Sequence, residues 1–158
     1  MQPDPSQTIY YRRARFSTRL PIDRLYSAAH YWLLEEEPGI WRVGFTKFAL
    51  RMLGDLVEVS LPDTPDLPVE VGLTIGSAEG FKAVSDLYCV ASGVLLNSNG
   101  VLQGDLTVAD TRPYTDGWLY RVRGTPESSA VDVYGYIDFL NLTIDKMKEQ
   151  MDVQPKQC

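Results

Sequence analysis

In the run Glu79-Gly80-Phe81-Lys82-Ala83-Val84-Ser85-Asp86-Leu87-Tyr88, one lysine stands in an exposed turn between two apolar, strand-like stretches. A lysine at a hairpin tip has few neighbours, so its amine is open to a modifying enzyme. Acylation would turn the charged amine into a neutral amide and lengthen the side chain into a swinging arm. This is group-carrier chemistry, with rigid strands fixing where the arm begins. An ordinary surface lysine is the other reading of Lys82, and the residues alone leave both open. Competing chemistries have less support. His30 is the only histidine, and Cys89 and Cys158 are too few for a disulfide scaffold or a zinc site. Asp55, Glu58, Glu79 and Asp86 have no histidine within sequence reach to build a catalytic constellation. The formal net charge of −6 over 158 residues is the wrong sign for a nucleic-acid binder. There is no apolar run of about 18 residues to span a membrane. The expectation is one soluble, cytoplasmic, acidic domain without nucleic-acid or membrane partners.

The elements that must hold Lys82 are mostly short strands. Tyr31 to Glu35 and Ile40 to Phe45 flank a Pro38-Gly39 turn and read as a hairpin. Thr46 is placed to cap a short helix over Lys47 to Leu53, with Phe48, Met52 and Leu53 on its apolar face and Gly54 as its terminator. Asp55 to Leu61 alternates as a strand. Pro62, Pro65 and Pro68 make a stiff connection that excludes a central strand. Val71 to Ala78 and Val84 to Val90 bracket the Lys82 turn, and Gly93 to Leu96 and Trp118 to Arg123 complete the set. At the end Ile137, Leu140, Ile144, Met147 and Met151 recur at helical spacing, with Asp132 or Thr125 as the cap. Residues 1–24 carry Arg12, Arg13, Arg15, Arg19 and Arg24 and read as a solvated basic extension, with a strand pairing against the body or a targeting arm as alternatives. Residues 25–124 then form the β body, a small barrel or sandwich, and 125–158 the helical segment and tail.

The Lys82 segment resembles the lipoylation site of the H-protein of the glycine cleavage system, whose motif is close to Glu-Ser-Val-Lys-Ala-x-Ser-Asp-Leu-Tyr. Glu79, Lys82, Ala83, Ser85, Asp86, Leu87 and Tyr88 match it, and Gly80 and Phe81 replace the two residues before the lysine. Upstream, His30-Tyr31-Trp32 resembles the family's His-Glu-Trp. Val43-Gly44-Phe45-Thr46 and Leu53-Gly54-Asp55-Leu56-Val57 resemble Val-Gly-Ile-Thr and Leu-Gly-Asp-Val-Val. Downstream, Ser92-Gly93, Asn97, Leu102 and Pro113-Tyr114 with Gly117-Trp118-Leu119 continue the match in order.

The resemblance implies a mainly β barrel-sandwich hybrid of the lipoyl-carrier type, with a short internal helix, a C-terminal amphipathic helix and lipoate in amide linkage to Lys82. It implies a carrier rather than an enzyme. A lipoate-protein ligase or lipoyl transferase would load it, and its partners would be glycine decarboxylase, aminomethyltransferase and dihydrolipoamide dehydrogenase. Glu79, Ser85, Asp86, Tyr88 and His30 would form the recognition and arm environment, with His30 also readable as a hydrogen-bonded structural residue. Departures from the family fall at Ala29, Tyr31 and Lys47, where the family carries acids, and at Cys89, read as a small buried hydrophobe. These fit an alternative in which an H-protein-like carrier holds sulfur intermediates for heterodisulfide-reductase-like enzymes. An alternative of another class is an interaction module on the same fold without lipoate.

Overall fold

The computed structural model describes residues 7–153; Met1 to Ser6 and Cys158 lie outside them. Within them the order is β1 (Thr8–Arg13), β2 (Phe16–Pro21), β3 (Leu25–Tyr26), β4 (Tyr31–Glu37), β5 (Ile40–Phe45), α1 (Lys47–Leu53), β6 (Leu56–Ser60), β7 (Leu67–Val69), β8 (Thr74–Gly80), β9 (Val84–Tyr88), β10 (Ala91–Ser98), α2 (Val101–Gly104), α3 (Thr107–Thr111), β11 (Tyr120–Pro126) and α4 (Val133–Val153). Gly39, at φ 77°, turns the chain between β4 and β5, as the Pro-Gly pair predicts. The Thr46 hydroxyl accepts from the Ala49 amide, so the expected cap of α1 is in place.

Two sheets face each other across one core. The larger runs β3-β4-β5-β11-β10-β7, and the smaller runs β6-β8-β9. Leu33, Val43, Leu95 and Val122 point inward from the first, and Val59, Ala78 and Leu87 from the second. Each such side chain contributes about 1.5–3 kcal/mol by leaving water. Pro68 sits in β7, at the edge of the larger sheet, where its missing N–H leaves no ladder bond unmade.

A second core corrects three sequence expectations. Thr8 to Pro21 is not a solvated extension: β1 and β2 form an antiparallel hairpin, and Tyr11, Phe16 and Leu20 are buried from it. Arg13 is one basic residue of the hairpin that is not simply solvated, since it makes a two-bond ion pair with Asp145 of α4. On α4 the buried residues are Val133, Tyr136, Leu140 and Ile144, whereas Met151 is 74% exposed. The last turns border an open hollow opposite Phe16 and Met52 rather than a packed core, so Met147 and Met151 stay exposed. Asp132, not Thr125, accepts from the Gly135 amide at its start, and Thr125 lies in β11. On α1, Ala49 and Leu50 are buried beside Phe48 and Leu53, while Met52 faces outward.

Candidate functional site

Lys82 lies in the tight connection Phe81-Lys82-Ala83 between β8 and β9, closed by the Gly80 amide donating to the Ala83 carbonyl at 2.9 Å. That connection is fastened to the end of α1. The Lys82 amide donates to the Leu53 carbonyl at 2.9 Å, and the Phe81 amide to the Asp55 carbonyl at 3.0 Å. A helix end leaves carbonyls without partners, and here the turn supplies donors for them. Two glycines permit the approach. A Cβ on Gly80 would lie 2.1 Å from the Leu53 carbonyl oxygen, and one on Gly54 would lie 2.9 Å from Cγ of Lys82. Gly54 also adopts φ 77° and ψ −177°, an extended positive-φ conformation essentially restricted to glycine, where α1 ends.

The backbone of the tip is therefore fixed while its side chains are free. Phe81 is 80% exposed, and Lys82, Val84, Ser85 and Asp86 are all exposed. The Lys82 ammonium makes one long contact, 3.4 Å to the Arg51 carbonyl, and no salt bridge among the described residues. Two open hollows border Lys82. One, of about 440 Å³, is lined by Arg15, Lys47, Arg51, Phe81 and Asp110 among others. The second, of about 660 Å³, runs between Phe16, Met52, Met147 and Met151. An accessible primary amine on a rigid tip, with open space around it, fits a lysine that is to be acylated.

The other sequence candidates separate. Glu79 lies on β8 rather than in the turn, exposed, and opposite both Glu58 on β6 and Val84 on β9. The Ser85 hydroxyl donates to the Asp86 carbonyl at 2.9 Å. Tyr88 turns its ring outward, and its backbone is held from within: its amide donates to the Tyr31 hydroxyl, and its carbonyl accepts from the Tyr120 hydroxyl. Burial pushes the Tyr31 phenol up to about 12. Tyr31 thus occupies the family's glutamate position as an inward-facing core residue stacked on Phe45.

His30 belongs elsewhere. It takes φ 70° before β4, and its Nδ1 is 2.9 Å from the Tyr136 hydroxyl, with the rings of Phe48 and Phe139 against it. Burial lowers its pKa to about 4, so the ring is neutral at pH 7. It lines neither hollow beside Lys82. Cys89 is buried, donates to the Ala91 carbonyl at 3.1 Å, and has its thiol pKa raised by burial, as expected of a small buried hydrophobe.

Sequence reasoning missed Arg15, Phe16, Arg51 and Asp110, which border the tip from the N-terminal hairpin, α1 and α3. Only Gly54 carried a signal, as the terminator of a helix whose end must meet something.

Comparison with known proteins gives one result throughout. The family model described as Glycine cleavage H-protein matches residues 24–135. The glycine cleavage system H protein of Pectobacterium atrosepticum is 36% identical over 122 residues, covering 75% of this chain and 93% of that one. Its counterpart from Enterobacter sp. is 37% identical over 111 residues, covering 70% of this chain and 85% of that one. The crystal structure of a glycine cleavage system H protein from Mycobacterium marinum superposes with a TM-score of 0.70 at 35% identity, covering 77% of this chain and 99% of that one. These names lend no support to the sulfur-carrying alternative. β1, β2 and most of α4 fall outside the matched segment, whereas the Lys82 hairpin, both facing sheets and α1 fall inside it. The chain belongs to the glycine cleavage H-protein family, whose members are lipoyl carriers rather than catalysts.

Proposed function

We propose that this protein carries a lipoyl group in amide linkage to Lys82 and moves aminomethyl groups between the enzymes of glycine cleavage. The observation that carries the reading is an exposed lysine on a tip whose backbone is bonded to the end of α1. When bound, the lipoyl group supplies a dithiolane able to take up and hand on the one-carbon unit. The chain's own part is mechanical and electrostatic. The Leu53 and Asp55 carbonyls hold the tip, so the arm starts from a fixed point. Phe81 and Val84, both exposed, present apolar surface on either side of the lysine. Glu79, Ser85 and Asp86 offer polar groups to a lipoate-protein ligase or lipoyl transferase. On the same reading, glycine decarboxylase, aminomethyltransferase and dihydrolipoamide dehydrogenase are the later partners, the setting is cytoplasmic, and residues 25–124 are the carrier unit.

Intact-protein mass spectrometry after co-expression with a lipoate ligase should show one added lipoyl group, and Lys82→Arg should show none. An adduct that survives in Lys82→Arg would overturn the assignment.

A further inference from the structure

A protein with net charge −6 has gathered positive charge around its attachment lysine. Arg15 from the β1–β2 turn, Lys47 and Arg51 from α1, and Lys148 from α4 line the two hollows beside Lys82, and all four are exposed. Elsewhere Arg24, Arg42, Arg112 and Arg121 each hold a carboxylate. Arg15, Lys47 and Arg51 hold none among the described residues. Two carboxylates border the first hollow: Asp110 bonds inward, accepting from the Leu56 amide, and Asp55 is exposed. At the second hollow Arg13 is paired with Asp145, so the two rims keep an excess of positive charge. Folding alone gives no reason to bring like charges together on one rim, since they repel.

We propose that Arg15, Lys47, Arg51 and Lys148 form a docking collar for an enzyme whose active-site entrance is rimmed by carboxylates. The inference rests on Lys82 as the attachment point, because an enzyme that takes the arm must approach this face. Acylation removes the charge of Lys82 but leaves the collar, so the same surface serves before and after loading. A positive end on a negative protein makes a dipole, which orients the carrier as it approaches a negative mouth. Between the collar residues lies an apolar floor that includes Met52, Met147 and Met151, flexible side chains that adapt to a partner's contour. Arg15 and Lys148 lie outside the family-matched segment, whereas Lys47 and Arg51 lie inside it.

The test is the affinity of the full-length carrier, lipoylated and unmodified, for glycine decarboxylase of the same organism, measured by fluorescence anisotropy between 20 and 200 mM salt. The collar predicts a Kd that weakens about tenfold over that range, because opposite charges in contact are screened. Overall charge would act with the opposite sign: an acidic carrier meeting an acidic entrance would bind better as salt rises. The double variant Arg15→Glu/Lys148→Glu should weaken Kd at low salt about tenfold with an unchanged melting temperature. Arg123→Glu, an exposed change of the same sign that lines neither hollow, should leave Kd unaltered. A Kd that ignores salt, tightens in the double variant, or weakens equally in Arg123→Glu overturns the collar. Absence of lipoylation at Lys82 would instead overturn the carrier reading, and binding of the unmodified protein would still judge the collar.

Discussion

The two ends of α1 organise two clusters of opposite character. At its start the capping residue Thr46 and the ring of Phe48 join His30 and Tyr136, where the Tyr136 hydroxyl is 2.8 Å from the Thr46 hydroxyl and 2.9 Å from the His30 imidazole. Both hydroxyls and the His30 Nδ1 have partners there, and Tyr136 also stacks on Tyr26 with ring centres 4.7 Å apart. At the end of α1 the Leu53 and Arg51 carbonyls hold the Lys82 turn, and the side chains beyond them face solvent. A histidine and a lysine, both candidates by residue type, end up as a hydrogen-bonded structural residue and an exposed amine. The difference is made by what fills the space around them: aromatic rings pack against the first, and the second is exposed among the described residues.

If the clusters are independent, damage to one should spare the other's property. Gly80→Ala is the change that breaks this independence. Its new methyl would meet the Leu53 carbonyl oxygen at 2.1 Å and the Gly54 carbonyl oxygen at 2.9 Å, both backbone atoms that cannot swing aside. The hairpin must lift from α1, and the Lys82 and Phe81 amides then lose their acceptors. We expect a loss of roughly 3 kcal/mol or more by thermal unfolding, with slowed lipoylation in the same variant. Normal stability with normal lipoylation would show that the fastening of the tip is dispensable.

Acid should probe the sealed cluster alone. The folded pKa of His30 lies near 4, below the ordinary 6.5, so the unfolded chain binds the extra proton first. Its stabilising contribution is therefore complete above about pH 6.5 and falls away as pH drops toward 4, by roughly 3 kcal/mol in all. His30→Asn tolerates the left-handed backbone and removes the titration, so its stability should depend less on pH across that window. An equally steep dependence in the variant would place the acid sensitivity elsewhere. Lipoylation at pH 7 should be the same in both proteins.

The open cluster was more legible than the sealed one, and the reason is local. A lysine between two strand-like runs, a capping threonine and a terminating glycine are short-range signals, and each lies where the spacing put it. The hairpin of residues 8–21 was obscured by its arginines, although Phe16, Thr18 and Leu20 alternate and all three are buried. The stripe on α4 marked a helix correctly but assigned Met151 to a packed face, because periodicity does not show that this end of the face borders an open hollow. His30 could not be placed from its neighbours, since its partners Tyr136 and Phe139 lie more than a hundred residues away. The border of the Lys82 tip, made by Arg15 and Asp110, is likewise a product of topology.

Glu79 offers the finest separation of recognition from folding. It is exposed on β8 directly across from Glu58 on β6, so two carboxylates share one face of the small sheet. Like charges placed opposite each other across a sheet disfavour the pairing slightly. Removing one by Glu79→Ala also exchanges a poor strand residue for another poor one, so the two effects on stability are small and partly offset. The melting temperature should be unchanged or slightly raised, corresponding to less than about 0.5 kcal/mol. A carboxylate kept at some cost to the sheet, three residues before an acylatable lysine, is more useful to a visiting enzyme than to the fold. The same variant should therefore raise the KM for lipoylation, with a smaller change in kcat, when the modifying enzyme is assayed by intact mass. Glu58→Ala relieves the same repulsion on a different strand and should leave lipoylation untouched. Equal slowing in both variants would make the effect one of general charge, and a clear loss of stability in Glu79→Ala would return that carboxylate to the fold.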